Sequence, residues 1–513
     1  MNMEGTNPDR LKEYSYLVFF IVLKLVLSFV LVNSVYDFHR DEFLYLDQAH
    51  HPDFGFTSVP PLISVFSIFI KLFGGGFYLV RFVPAFFGAL TMVYCWKIVG
   101  AINGNLMSKC LVCVAMICSV FLRLNTLYQP NSFDVLAWTA VFYYLIRYFD
   151  NEQPQYLYFV AITIAIGFLN KYNILFLVIG LLPAILIGRQ RKIFTQKHFY
   201  FALLAGVLVA LPNIIWQINH GFPVLHHMKL LQKYQLVNVS LKNFLIGQFL
   251  FFINSIFFLL AGIFVLIWHQ SFVKYRWVIF TYLFTMLVFV YFKGKDYYTL
   301  GLYPVLLCFG ALFFGRVLSK RYILQGIVVF FTIASFVYVL PLLMPVYSPA
   351  QIIKSHQRFE RVGVLRWEDG KNHQLPQDYA DMQGWKEIAH LTDMAYSRVK
   401  DKSVVLVRAD NYGQAGAINY YSKYPNIGAV AYSDDYLHWF EMKKPIKDLI
   451  LIRPVDEEDP RREKEKPIFN RITQIGEVKN PYSREFGTRV FLLEGAKINI
   501  NPIIEAEIIE EQQ

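Results

Sequence analysis

The chain has 513 residues, 55% of them hydrophobic and 17% aromatic, with a mean hydropathy of +0.37 and a net charge of +11. Apolar runs of bilayer-spanning length recur along it, which excludes a single water-soluble globular domain. The basic excess reads as the loop-charge bias of a membrane protein, because no basic stripe interleaved with aromatics marks the polar C-terminal part for nucleic acid.

In chain order, the first apolar run is YLVFFIVLKLVLSFVLVN at 16–33. It is long enough to span, and no small-residue cleavage pattern follows it, so it reads as a signal anchor. Lys24 sits in the middle of this run and is unexplained by the pattern. Spans are predicted near 15–33, 81–100, 109–126, 133–149, 157–170, 173–188, 199–217, 245–268, 277–292, 299–315 and 322–345, about eleven in all. Basic residues cluster at Arg10 and Lys12, at Arg189, Arg191 and Lys192, and at Arg316, Lys320 and Arg321. Together they place the N-terminus in the cytoplasm, and an odd number of spans then exports the C-terminal region. The predicted location is the inner (plasma) membrane, multi-pass, with that region periplasmic.

This topology puts segments 34–80, 127–132, 218–244 and 293–298 outside. Within the first, PPLISVFSIFIKLF at 60–73 is apolar but short, and its Pro pair suits a helix start. It reads as an interfacial helix. Counting it as a span would turn the arginine-rich loops outward.

Residues 346–513 are charged and carry turn signals. A helix near 383–398, strands at SVVLV (403–407), LILI (449–452) and RVFLL (489–493), and a helix in NYGQAGAINYYSKY (411–424) predict an α/β domain. The acidic tail EAEIIEEQQ is predicted to fray. The division is therefore 1–345, a transmembrane domain that includes the outer loop 34–80, and 346–513, a soluble α/β domain. All five cysteines fall in or beside apolar runs. The CxxC at Cys110 and Cys113 lies in a predicted span without partner ligands and reads as packing.

The residues that could do chemistry gather in the outer segments. RDE at 40–42 places Arg40, Asp41 and Glu42 at a membrane exit, with Asp47 following. A carboxylate held there is desolvated, which raises its basicity and suits a general base; the plainer alternative is a solvated loop. Asp134 in QPNSFDVLAW falls in the first turn of a helix, where an acid also serves the helix dipole. Paired with Asp41 across a cavity, it would be a second carboxylate. Lys171 in FLNKYN either snorkels or lines that cavity as a cation. In KGKDYYTLGLYP, Lys293, Lys295, Asp296, Tyr297 and Tyr298 offer cations, hydroxyls and helix-start amides to a phosphate, or simply anchor the interface. His220, His226 and His227 share one outer loop, but their spacing matches no known zinc site, so they read as phosphate or sugar contacts or surface. No metal is predicted.

These motifs in this order (RDE, the PPL turn, PNSFD, NKY, a WQ-HG-P loop and YYTLGLYP) resemble the GT-C superfamily of membrane glycosyltransferases. More closely, they are similar to bacterial relatives of dolichyl-phosphate-mannose–protein mannosyltransferases and to the aminoarabinose transferases that modify lipid A. The resemblance spans nearly all of residues 10–345. It implies a polytopic α-helical GT-C fold and an inverting transfer of sugar from a polyprenyl-phosphate carrier to a hydroxyl acceptor of the envelope, whether lipid, glycan or protein. It casts Asp41 as the catalytic acid of the first loop and Asp134 as the acid of the second turn, with Lys171 and Lys295 near the phosphate. Glu42 joins the catalytic candidates; Arg40, Tyr297, Tyr298, His226 and His227 join the substrate-binding ones. No cofactor is implied beyond the donor. Val59 stands where aminoarabinose transferases have a lysine, so another cation must hold the phosphate here. The rival readings are a flippase or transporter for a lipid-linked glycan, and an envelope scaffold.

Overall fold

The computed structural model describes residues 8–511. Its contacts divide it into two units. The first runs to Val32 and takes in Val59–Ile63 and Gly75–Val346; the second holds Asn33–Ser58, Ser64–Gly74 and the chain from Tyr347 onward.

The first unit is helical around one apolar core that contains Trp138, Phe142, Trp277, Phe258 and Phe309. Among the described residues six helices are long and apolar enough to cross a membrane: Leu11–Val30, Phe77–Ala101, Lys197–Asn219, Gln270–Tyr291, Asp296–Val317 and Tyr322–Leu343. A pair bent by 106°, Ile174–Ile187 with Arg189–Thr195, brings the number to seven. Several of the other predicted spans are shorter helices or are broken. The run 109–126 becomes Leu106–Ile117 and the short helix Phe121–Leu124. The run 245–268 becomes Leu241–Leu250 and Ile256–Trp268. The two breaks meet: the Val120 N–H donates to the Phe251 carbonyl at 3.0 Å. Backbone groups freed in an apolar environment must find partners inside the protein, and here the second break supplies an acceptor for the first. Hydropathy averages over such breaks, so the sequence reads each as one run.

Lys24 is fully buried in this unit, and among the described residues its Nζ has no hydrogen-bond partner. Its Cε lies against Gly88 beside Asn125, where a Cβ on Gly88 would meet both within 2.6 Å. The five cysteines are free, with Cys95, Cys113, Cys118 and Cys308 buried.

The second unit is built on a five-stranded sheet of β1 (Val405–Ala409), β2 (Val430–Ala431), β3 (Asp448–Arg453), β4 (Phe469–Glu477) and β5 (Arg489–Ala496), in the order β2-β1-β3-β5-β4. β1 runs parallel to β2 and β3, whereas β5 is antiparallel to β3 and β4. β3 is buried over Leu449–Ile452, which is why LILI reads as an unbroken apolar run. β4, at the edge, is mostly polar and partly exposed, so its sequence carries no strand signal. The predicted helices appear as Trp385–Arg398 and Tyr412–Tyr421. The acidic tail is a helix, Asn501–Glu511, that buries Ile504 and Ile508 in the core below the sheet; the final two glutamines lie outside the described residues. Those apolar contacts hold a stretch that its charge alone would fray.

The segment 33–58 packs in this unit, separated by more than 300 residues from the chain it touches. It carries the short helix Arg40–Asp47, against which the Tyr412–Tyr421 helix lies. Gly413 and Gly416 make that approach possible. A Cβ on Gly416 would come within 2.8 Å of the Phe43 Cβ, and one on Gly413 within 3.1 Å of the Arg40 Cβ. This is the physical content of NYGQAGAINYY. The stretch predicted to be interfacial forms a single helix, Leu62–Leu72, eleven residues long and too short to span.

Candidate active site

The Arg40–Asp47 helix begins with a reciprocal cap. The His39 Nδ1 accepts from the Asp41 N–H at 3.3 Å, and the Glu42 carboxylate accepts from the His39 N–H at 2.5 Å. Glu42 is fully buried. Asp47 is 6% exposed and accepts from the Tyr436 hydroxyl at 2.7 Å and the Asn419 amide at 2.6 Å. These two acids tie the helix down. Asp41 differs: its side chain remains 31% exposed. One of its oxygens accepts from the Tyr412 hydroxyl at 2.7 Å, and the other stands 3.7 Å from the His39 ring.

The Arg40 guanidinium lies 4.4 Å from the centre of the Tyr412 ring. Burial works against its charge, but Tyr412, Asp381, Asp41 and Glu485 outweigh burial and keep it firmly protonated. Asp381, behind His39, is pushed above the usual carboxylate range by burial, against the pull of His39, Arg484 and Arg40. Asp434 is pushed up to about 6, first by burial and then by the Asp41 charge, while Arg40 and a hydrogen bond from Ser58 hold it back. Tyr412, Asp381 and Asp434 carry no signal in the sequence as partners of Asp41; only contact across the fold reveals them.

A second group lies in the first unit. Asp134, in the first turn of Asn131–Asn151, is 4% exposed and accepts from the Trp138 indole at 2.9 Å and the Asn173 amide at 2.7 Å. Asn173 also donates to the Tyr298 carbonyl at 2.9 Å. The Lys171 ammonium donates to Asn131 at 2.6 Å and stands 4.5 Å from the Tyr298 ring and 5.4 Å from the Tyr297 ring. Asp134 attracts that ammonium and Lys295 repels it. The fold thus brings together Asp134, Lys171, Lys295, Tyr297 and Tyr298, which come from three separated stretches. Asn173, which joins two of those stretches, was not singled out, because the sequence offers no reason to prefer it over Asn170. Asp296 packs beside Gly247, and its carbonyl accepts from Gln248. His226 and His227 are half-buried on the Pro223–Tyr234 helix. Among the described residues no group of three or more His, Cys, Asp or Glu has the arrangement of a metal site.

Residues 58–216 match the family described as dolichyl-phosphate-mannose-protein mannosyltransferase. The crystal structure of ArnT from Cupriavidus metallidurans bound to undecaprenyl phosphate superposes with a TM-score of 0.62 at 12% identity, covering 93% of this chain and 98% of that one. The chain has the GT-C fold. The apo structure of ArnT from Cupriavidus metallidurans agrees equally well with this fold, with a TM-score of 0.61 at 11% identity and the same coverage. No curated protein sequence matches it. At such low identity the likeness carries the architecture, and the chemistry must come from the residues.

Proposed function

We propose that this GT-C chain is an inverting glycosyltransferase that moves a sugar from a polyprenyl-phosphate carrier to a hydroxyl acceptor of the cell envelope, on the outer face of the inner membrane. The observation that carries the reading is the state of Asp41. Of the three acids on its helix it alone remains accessible, and a tyrosine hydroxyl fixes its orientation. A general base needs both properties.

In this reading the acceptor hydroxyl gives its proton to Asp41 as its oxygen attacks the anomeric carbon. The bond from that carbon to the carrier phosphate breaks, and the phosphate leaves with the electron pair. Lys171, with Lys295 near it and the Tyr297 and Tyr298 rings beside it, is the cationic group that receives the developing phosphate charge. It takes the part left vacant by Val59. Asp134 holds Asn173 and with it the Tyr297–Tyr298 turn. The donor arrives activated, so the scheme calls on no cofactor. That ArnT was solved with undecaprenyl phosphate supports a carrier of this chemistry. The basic loops at 189–192 and 316–321 support a cytoplasmic N-terminus.

The test uses full-length protein in lipid nanodiscs, a panel of radiolabelled undecaprenyl-phosphate sugars, and envelope extract. Wild type transfers label from one donor, and Asp41→Asn is slower by about 100-fold or more, the usual worth of a positioned base. Equal transfer by Asp41→Asn removes Asp41 from the reaction. Absence of transfer with every donor removes the enzyme reading.

A further inference from the structure

Resting on the reading of Asp41 as the base, we propose that Tyr412, whose hydroxyl donates to Asp41 at 2.7 Å, is a positioning residue for its carboxylate, with Asp434 beside it in the loop tied to the Tyr412 N–H. The two residues arrive from one connected piece of chain. Tyr412 opens its helix, which Asn411 caps by accepting from the Gly413 and Gln414 N–H groups. The Tyr412 N–H donates to the Ser433 hydroxyl at 2.9 Å, which ties the next loop to the same point. Asp434 follows in a left-handed conformation, φ 51°, a strained state for most residues that clusters at functional positions. The Tyr412 hydroxyl then reaches Asp41 at 2.7 Å, across 371 residues of sequence. The Arg40 guanidinium also lies against the Tyr412 ring, 4.4 Å from its centre.

The two partners act on Asp41 in opposite senses. A hydroxyl donated to a carboxylate favours its charged form, whereas a nearby second carboxylate disfavours it. Asp41 and Asp434 repel each other, and burial adds to the pressure that brings Asp434 to about 6. The other groups facing Asp434 are Arg40, which attracts it, Ser58, which hydrogen-bonds to it, and Tyr412, Asp435 and Tyr436, each of which its charge perturbs. His39 and Asp381 face Asp41 itself. Tyr412 thus keeps Asp41 ionised and aimed. Asp434, once ionised, raises the affinity of Asp41 for the acceptor proton.

The experiment is the pH dependence of kcat for label transfer from radiolabelled undecaprenyl-phosphate sugar to envelope extract, with full-length protein. Tyr412→Phe keeps the ring and loses the donor; its acid limb moves up by about half to one pH unit, with kcat reduced. Asp434→Asn loses the charge and suits the left-handed conformation, and its acid limb moves down. A residue that merely supports the fold lowers activity at every pH and moves neither limb. Acid limbs that coincide with wild type, while Asp41→Asn is slower by about 100-fold or more, overturn the positioning role and leave the base intact. Transfer by Asp41→Asn at the wild-type rate overturns the base itself. Melting curves accompany each variant. If Tyr412→Phe does not fold, the direction of the Asp434→Asn shift decides alone.

Discussion

The Asn173 amide donates to the Asp134 carboxylate at 2.7 Å inside the first unit, where Asp134 also accepts from the Trp138 indole. Asp134 therefore satisfies two buried donors from its own helix and from the turn after Lys171. Replacing it with alanine leaves both donors unmet. Each unmet donor costs about 1–3 kcal/mol, so Asp134→Ala is expected to melt well below wild type. Asp134→Asn retains one acceptor oxygen and loses less. Thermal unfolding in detergent gives the order wild type, Asp134→Asn, Asp134→Ala; an alanine variant as stable as wild type contradicts the buried network.

Lys171 tests the phosphate assignment apart from the base. Its ammonium donates to Asn131 and lies over Tyr298. Lys171→Gln keeps a donor for Asn131 and removes the charge. A charge-assisted contact is worth about 1.5–3 kcal/mol, so the Kd for undecaprenyl phosphate rises by about 10- to 100-fold. Native mass spectrometry of the nanodisc-reconstituted protein measures it, and an unchanged Kd refutes the role.

Gly416 tests the packing that carries Asp41. A Cβ there meets the Phe43 Cβ at 2.8 Å, the Phe43 backbone at 3.0 Å and the Tyr436 hydroxyl at 2.7 Å, and two of those atoms cannot swing away. Gly416→Ala is expected to cost about 1–3 kcal/mol by overpacking and to weaken transfer by displacing Tyr412 from Asp41. Gly326→Ala, where a Cβ meets nothing within 4 Å, is the control and keeps wild-type stability.

Asp434 predicts a pH dependence of stability. Burial and the Asp41 charge raise its folded value from 3.8 to about 6. Between those values the folded chain binds more protons than the unfolded one, so this group's contribution falls as pH rises through that window. At pH 7 the ionised acid is a burden that Asp434→Asn relieves, by about 1 kcal/mol once solvent screening is allowed for. The melting curves of variant and wild type should separate at pH 7 and converge near pH 4. A gap of the same size at both pH values removes Asp434 as its source.

How much of this was legible in the sequence depends on how local each signal is. Apolar runs placed most of the long helices, because burial in a bilayer or a core demands unbroken hydrophobicity over many consecutive residues. LILI and RVFLL marked β3 and β5 for the same reason. Asp134 was visible because an acid opening a helix after a Pro-Asn turn is itself a local pattern. Asp41 and Arg40 stood out as charges after an apolar run, and it was the family resemblance that favoured Asp41 as a candidate over a solvated loop residue. The breaks at 118–120 and 251–255 were not visible, since the bond that joins them, from the Val120 N–H to the Phe251 carbonyl, links residues far apart in sequence. Edge strand β4 was missed because an exposed edge needs no apolar run.

The sequence by itself determined where the long apolar helices and the apolar strands lie and which charged residues stand at the ends of apolar runs, because periodicity and hydropathy act over a few consecutive residues. Only the tertiary structure decided that Glu42 and Asp47 hold the helix while Asp41 remains accessible, that Tyr412 reaches Asp41 from 371 residues away, and that Asn173 joins Asp134 to the Tyr298 turn. A side-chain hydrogen bond depends on where two backbones come to lie, and packing across the whole chain sets that position.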